Sequence, residues 1–536
     1  MPTPLTTTLL HRRDCPQCEA TAPKFGAHTL LCRWRQLRQQ AGQAWSAGTA
    51  RFADCVIDRP ALFCLLSVIV WYLISQVAFT NLDTYGDMIE AYVFTPNWEL
   101  GTFKHPPLTG WVAKAWFAFM PHTVWAFYLL SCIGVLIGML GALRLADEFI
   151  PRDRRTLVLM ALSLTMPFST LAYKFNANSI LLPIWPWLAL MFVRSLRGRH
   201  WGYALGLGIL SALGMLGKYY TGVLLVSMLI AALATHSGRR WLMTPAPWLA
   251  LAVFALCLLP HALWELRHGE STVQYVGRKA DHHVDWKHLF SFLLSPIGYC
   301  GLAWLLLLAC GFRGSLLERA RASYRRHTDG DDVLFWLTLS PLAITALFAL
   351  SGYVKIALHW SIPLAYLFPL FWLTRATDWQ PARARELLRA LPAVWLGLLL
   401  LAAAFNAGQA FSGKACHYRD DADAARAILA ARPGKPPAWV GGSWPEVAIV
   451  PFFADTSVRV VPGVPDRLPA GVTPVANWRG QAGALLCRPD DLSCQRQATD
   501  WLRQQGRSGQ AVDIRVVRQG WMYPLAVPTH YLVYWY

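Results

Sequence analysis

Residues 115–143 read AWFAFMPHTVWAFYLLSCIGVLIGMLGAL, a long run without one Asp, Glu, Lys or Arg. A helix rises about 1.5 Å per residue, so roughly 20 such residues cross the hydrocarbon of a bilayer. Ten more charge-free runs accompany it, at 61–82, 156–173, 175–193, 200–217, 219–238, 241–264, 288–312, 333–354, 356–374 and 390–413. One such run can be a buried core helix; eleven in succession predict an all-α polytopic membrane protein with about eleven spans. Composition agrees. Of 536 residues, 55% are hydrophobic and only 15% charged, where a soluble chain carries roughly a quarter charged. With 26 Trp as well, disordered, collagen-like, coiled-coil and disulfide-stapled classes are excluded.

An odd number of spans places the termini on opposite sides, and basic residues choose the sides. With a cytoplasmic N-terminus, the inner loops carry Arg144, Arg152, Arg154, Arg155, Arg194, Arg197, Arg199, Arg239, Arg240, then five Arg between 313 and 326 and four between 375 and 389. The outer loops hold half as many basic residues, mostly Lys. The formal net charge of +18 is thus scattered over short loops at one membrane face. That is topology and contact with membrane lipids, and not a nucleic-acid surface.

Residues 1–59 read as an Arg-rich cytoplasmic tail without an apolar run long enough for a signal peptide. Its Cys15 and Cys18, in CPQC with His11, His28 and Cys32 nearby, read as reduced thiols rather than a zinc site. Residues 60–413 form the membrane part. Residues 414–536 change character, alternating helix-like stretches (420–432, 491–505) with strand-like ones (458–461, 511–517, 530–535), which predicts a small α/β domain on the periplasmic side. In that oxidising compartment Cys487 and Cys494 can close a short loop; other pairings stay open, and Cys416 is left over.

The first outer loop, NLDTYGDMIEAYVFTPNWELGTFKHPPLTGW (81–111), packs Asp83, Asp87, Glu90 and Glu99 beside Lys104 and His105. Asp87 to Phe94 suits a short helix in the membrane interface, after Gly86 and before Pro96, with Asp87 and Glu90 sharing a face. A carboxylate held between water and lipid can act as a general base, because partial desolvation raises its pKa while a nearby cation restrains the rise. Pro106 and Pro107 pin the chain extended and fix where Lys104 and His105 point.

This loop, from Asp87 through KHPPL (104–108) with Trp98-Glu99 and Gly101 between, resembles the first periplasmic loop of the bacterial glycosyltransferase 39, or protein-mannosyltransferase-like, group. The polyprenyl-phosphate-aminoarabinose lipid A transferases belong to the same broad group. Further similarities follow in order over roughly 60–375: FNANSILLPIWPW (175–187), GMLGKYYTG (214–222), LLPHALWELRHG (258–269) and LHW (358–360). The resemblance implies the GT-C fold and inverting transfer of a sugar from a polyprenyl-phosphate carrier to an acceptor outside the membrane. It implies Asp87 as the base, backed by Asp83 or Glu90. Lys104, His105 and Lys218 would stabilise the leaving phosphate, with a hydrogen bond from Tyr219. Lys218 is the lone charge between two apolar runs. Many relatives carry Asp where this chain has Asn178, which can position a sugar hydroxyl but is neither a base nor a strong metal ligand; a divalent metal stays open but is not called for.

The second long outer loop, WELRHGESTVQYVGRKADHHVDWKH (264–288), reads as a lid whose Arg278 and Lys279 clamp donor phosphate or sugar. Adjacent His282 and His283 point apart and make a poor metal pair. His359, with Trp360, is placed to stack on a sugar ring. The alternative class, a polyprenyl-linked lipid flippase or transporter, wants internal repeats and ionisable groups at midplane. Here those groups sit at the ends of the runs. Sugar and acceptor, whether lipid A, another lipid-linked glycan, a surface polymer or a protein, are not written in these loops.

Overall fold

The computed structural model describes residues 27–536 apart from 80, 84, 96–97, 199, 269–282, 328–329, 354–355, 413–420, 433–435, 469–474, 476 and 518–527. The CPQC motif and Cys416 therefore lie outside the described residues. The chain up to the second long loop folds as α1 (Ala27–Asp58), α2 (Pro60–Ala78), α3 (Asp87–Val93), α4 (Leu108–Phe117), α5 (Val124–Ala146), α6 (Arg155–Ser163), α7 (Trp185–Arg197), α8 (Trp201–Gly217), α9 (Thr221–Ala234), α10 (His236–Leu242) and α11 (Ala246–Arg267). Apolar helices Trp286–Leu293, Ser295–Gly311, Val333–Leu350, Leu367–Thr374 and Pro381–Ser412 follow.

Among the described residues, seven helices are long and apolar enough to cross a membrane, or eight if the bent pair α9–α10 is one span. The eleven charge-free runs all contain helix, but several are broken in ways that a charge pattern does not register. The run at 156–173 leaves its helix at Ser163, and Pro167 then sits in a 3-10 turn. The run at 219–238 bends by 104°, because the Thr235 side chain accepts from the Gly238 N–H and starts α10 afresh. The run at 356–374 divides into a 3-10 segment, Leu358–Leu364, and the short helix Leu367–Thr374. The segment 27–58, expected as a polar tail, is one 32-residue helix.

Within the bundle, α8 packs on α7 and α11, and α5 on α2 and α7. Lipid supplies no hydrophobic drive for this packing, so close backbone approach and dispersion must hold it. Small residues provide that approach: a Cβ on Gly208 would come within 2.5 Å of the Ala250 carbonyl oxygen, and one on Gly138 within 2.5 Å of that of Leu182. One end of the bundle gathers Arg–acid pairs, with Arg155 on Asp147, Arg194 and Arg197 on Glu148, and buried Arg375 on Asp332. The other end carries α3 and α4.

After the last apolar helix comes a five-stranded sheet, ordered β2 (Arg459–Pro462), β1 (Trp439–Gly442), β3 (Gly483–Cys487), β5 (Pro528–Trp535), β4 (Val512–Val517). Strand β1 runs parallel to β2 and β3, while β5 is antiparallel to β3 and β4. Cys487 and Cys494 form a disulfide between the end of β3 and the helix Leu492–Gln504. This small domain is clamped to the membrane part. Fully buried Phe452 lies among the rings of Tyr92, Phe117, His122 and Phe127, with centroids 5.0 to 5.4 Å away. Asn81 Nδ2 donates to Asp421 Oδ2 at 2.6 Å. The first loop and the sheet domain therefore occupy the same end of the molecule.

Phe452→Ala empties an aromatic socket, which costs roughly 3–5 kcal/mol in a rigid core. Thermal denaturation in detergent should show a lower midpoint, with the sheet domain cleaved from the membrane part by protease at a concentration that spares the wild type.

Candidate active site

The first loop folds around α3. Gly86 takes a left-handed conformation (φ 74°) at the helix start, and space there admits no side chain, since a Cβ would lie 2.4 Å from Pro445 Cβ and 2.8 Å from Trp444 Nε1. The Asp83 carboxylate lies one turn before the helix and is buried. It accepts from the backbone N–H of Asp87 at 3.1 Å and of Met88 at 2.9 Å, satisfying two donors that a helix start leaves open. Asp83 is thus held by backbone, and what it does is aim α3. Burial pushes its carboxyl up, opposed by Lys174 and these two bonds.

Asp87, the first residue of α3, is 39% exposed, and Lys174 Nζ lies 3.2 Å from its carboxylate and 3.3 Å from that of Asp83. The two acids hold the Lys174 ammonium above its ordinary pKa in spite of its burial. Lys174 also lies 5.5 Å from the Tyr85 ring centroid. Sequence reasoning passed over Lys174. The signal existed, because Lys174 is the lone charge between the runs 156–173 and 175–193, the same pattern that singled out Lys218.

Glu90, one turn on from Asp87, is buried and paired with Lys104 at 2.6 Å and with His105 Nε2 at 3.5 Å. Burial pushes its carboxyl up to about 7, with Lys104 pulling the other way. Thr102 and His105 close the turn behind them: the Thr102 hydroxyl donates to the His105 carbonyl at 2.8 Å and accepts from its N–H at 2.9 Å. Pro107 then caps α4.

Lys218 ends α8, and its ammonium donates to Asn178 Oδ1 and lies 5.1 Å from the centroid of the Trp360 ring. Burial pushes it down to about 7, while Asp87 is near enough to pull it back up. The Asn176 side chain shapes the turn that presents Asn178, accepting from the N–H groups of Asn178 and Ser179 at 2.8 and 3.0 Å. The Tyr219 hydroxyl meets His261 Nε2 at 2.6 Å, and His261 Nδ1 meets the Leu100 carbonyl at 2.6 Å. Since a carbonyl only accepts, Nδ1 carries the proton and Nε2 accepts from Tyr219. Tyr219 is therefore spent on tying α9 through α11 to the first loop.

The structure brings Asp83, Asp87, Lys174, Asn178 and Lys218 to one end of the bundle, with Glu90, Lys104 and His105 on the adjoining side of α3. His359 is exposed on the 3-10 segment, and its neighbour Trp360 is the residue that meets Lys218. Arg278 and Lys279 lie outside the described residues. Among the described residues no three His, Cys, Asp or Glu side chains gather as a metal would require. The sheet domain braces both ends of α3: Trp444 Nε1 donates to the Tyr85 carbonyl at 3.0 Å, and the Trp444 ring stacks on Phe94 with centroids 5.1 Å apart.

Residues 104–264 match the family model described as dolichyl-phosphate-mannose-protein mannosyltransferase. Lipid A galacturonosyltransferase RgtD of Rhizobium johnstonii is 24% identical over 297 residues, which are 54% of this chain and 60% of RgtD, so the chain spans about three fifths of that curated relative. Crystal structures of ArnT from Cupriavidus metallidurans align over 88% of this chain and 97% of ArnT. The TM-score is 0.56 at 14% identity for the form bound to undecaprenyl phosphate and 0.55 at 15% identity for the apo form. The chain has the fold of ArnT, and the GT-C resemblance read from the first loop is borne out.

Glu90 also sets a pH dependence. The folded chain keeps its proton up to about 7, whereas the free carboxyl releases it near 4.5. Between these values the folded state binds more protons, so its stability falls as pH rises. Melting midpoints at pH 5 and pH 8 should differ less for Glu90→Gln than for the wild type; an identical difference in both proteins removes Glu90 as the source.

Proposed function

We propose that the chain is an integral-membrane glycosyltransferase, transferring a sugar from a polyprenyl phosphate, undecaprenyl phosphate in bacteria, to an acceptor at the outer face of the inner membrane. The N-terminus is cytoplasmic and the sheet domain periplasmic, a reading supported by the Arg-rich end opposite α3. Residues 60–413 are the catalytic part. The acceptor is a lipid or glycan, a class suggested by the lipid A transferase RgtD.

The observation that carries the reading is a half-exposed carboxylate, Asp87, on a helix that Asp83 caps and Trp444 braces, with Lys174 and Lys218 nearby. In the proposed step the acceptor hydroxyl attacks the anomeric carbon, the bond from that carbon to the phosphate oxygen breaks, and the proton passes to Asp87. One displacement inverts the centre. The carrier leaves as a phosphate monoester whose new charge needs cations, and Lys218 and His105 are the groups suited to it. Lys174 pairs with the Asp87 carboxylate and holds it in position for the acceptor, and Asn178 holds Lys218 in place.

Purified protein in lipid, given radiolabelled undecaprenyl-phosphate sugars and a lipid or glycan acceptor, should release free carrier phosphate. Asp87→Asn should lower turnover about 10²- to 10⁴-fold, the range for loss of a general base, with donor binding retained. Release by the variant at the wild-type rate removes Asp87 as the base. Donor binding without release in any wild-type reaction favours a flippase. Lys218→Gln should lower kcat by at least as much as it raises the donor KM, since the charge it meets grows as the phosphate leaves.

A further inference from the structure

Helix α1 is amphipathic from Trp34 to Phe52. Trp34, Leu37, Ala41, Trp45, Gly48 and Phe52 recur at intervals of three and four and form one apolar stripe, while Gln36, Gln39, Gln40, Gln43 and Asp54 lie on the opposite side. Among the described residues, the C-terminal third of α1 is the packed part: Ala53 and Val56 are buried, and Phe52 packs edge-on against Trp395 of the last apolar helix, with centroids 5.9 Å apart. Further back the helices part. Between them lies an apolar cavity of about 510 Å³, lined by Ala41, Ala44, Trp45, Gly48, Thr49 and Phe52 of α1 and by Pro392. The stripe continues beyond it with Trp34 at 71% and Leu37 at 61% exposure.

Two further observations identify the occupant. A single residue, Arg59, separates α1 from α2, so α1 cannot leave the membrane surface into which α2 inserts. The surrounding charge is mostly positive, and two of the acids nearby are already matched: Asp54 pairs with Arg385 at 2.5 Å and Glu386 with Arg389 at 3.0 Å. Arg389 also reaches Ser46 Oγ at 3.1 Å, fixing α1 across the last helix beside Pro392. Arg38 falls on the stripe side of α1, one turn before Ala41, and Arg35 lies beside it. Neither forms an ion pair with any acid among the described residues. An open apolar groove beside the start of a membrane helix, with two exposed arginines one to two helical turns before its first lining residue, Ala41, suits a lipid with an anionic headgroup.

We propose that the groove between α1 and the last membrane helix is a binding site for an anionic phospholipid of the surrounding leaflet. An acyl chain fills the slot over Gly48, and Arg35 and Arg38 hold the headgroup phosphate. This site is at the Arg-rich end, remote from α3, and does not depend on the glycosyltransferase reading. It anchors α1 along the membrane surface and gives the protein a lipid requirement separate from its donor.

The test uses the full-length protein in detergent, titrated with phosphatidylglycerol or phosphatidylcholine, with bound lipid counted by native mass spectrometry. The wild type should retain phosphatidylglycerol in preference. Arg35→Gln with Arg38→Gln should weaken that binding about tenfold or more, as expected for two arginines near an anionic surface. Gly48→Leu should block the slot and lower the number of tightly bound lipids by one; no side chain presently lies within 4 Å of a Cβ built there, so this variant tests occupancy without disturbing a packed contact. Equal retention of both lipids, unaffected by either change, overturns the proposal. A wild-type dimer that Gly48→Leu converts to monomer overturns it too, by assigning the groove to a second copy. Melting midpoints and carrier-phosphate release, compared in parallel, separate lost binding from lost folding.

Discussion

The Lys174 ammonium between the Asp83 and Asp87 carboxylates is the constraint from which the site follows. Two carboxylates a few residues apart at the edge of an apolar bundle repel each other, and burial already raises the pKa of Asp83. A cation between them makes the pair tolerable, and removing it would leave two like charges side by side at the edge of the bundle. With the pair held, each acid is free for a different task. Asp83 spends its oxygens on the first N–H groups of α3, and Asp87 keeps part of its surface open to solvent.

That division explains why a seven-residue helix needs bracing from outside. Such a helix is below the length at which helices are stable alone, and α3 has only its caps and its packing to rely on. Asp83 closes its start, while Trp444 holds the chain on both flanks, at the Tyr85 carbonyl and at the Phe94 ring. The sheet domain is in this sense part of the scaffold of the first loop, and Gly86 is small because the domain comes that close.

Much of this was written in the sequence, and what was missed shares one cause. Charge-free runs showed a membrane bundle because the hydrocarbon tolerates few charges; they did not show where runs break, since Pro167 and the Thr235 cap carry no charge. Helix α3 and its boundaries were legible from Gly86 and Pro96, as were β2, β4 and β5 from their apolar alternation. Strands β1 (WVGG) and β3 (GALLC) were not, being short and glycine-bearing; their pairing supplies what their propensity lacks. Helix α1 was hidden by composition, because Gln and Arg made it look like a tail while its three-and-four spacing went uncounted. In the site, pairs distant in sequence were the blind spot: Lys174 with Asp87, Lys218 with Asn178, Tyr219 with His261. Each needs tertiary proximity that spacing cannot supply.

The two lone lysines show how far such reasoning reaches. A single ammonium between two apolar runs marks the place where the chain must turn at a membrane face, and by itself that is only a topological requirement. Lys174 and Lys218 both meet it. What distinguishes them is the partner: two carboxylates hold Lys174 charged, whereas Lys218 has a neutral amide and an aromatic face, and burial brings it down to about 7. An ammonium so weakly compensated gains most from an arriving anion, since a phosphate would supply the missing counter-charge and restore its proton. Lys174, already neutralised, would gain little. In the proposed step the same residue type at equivalent turns would take two roles, one orienting the base and the other receiving the leaving group, a division that follows from what each ammonium touches.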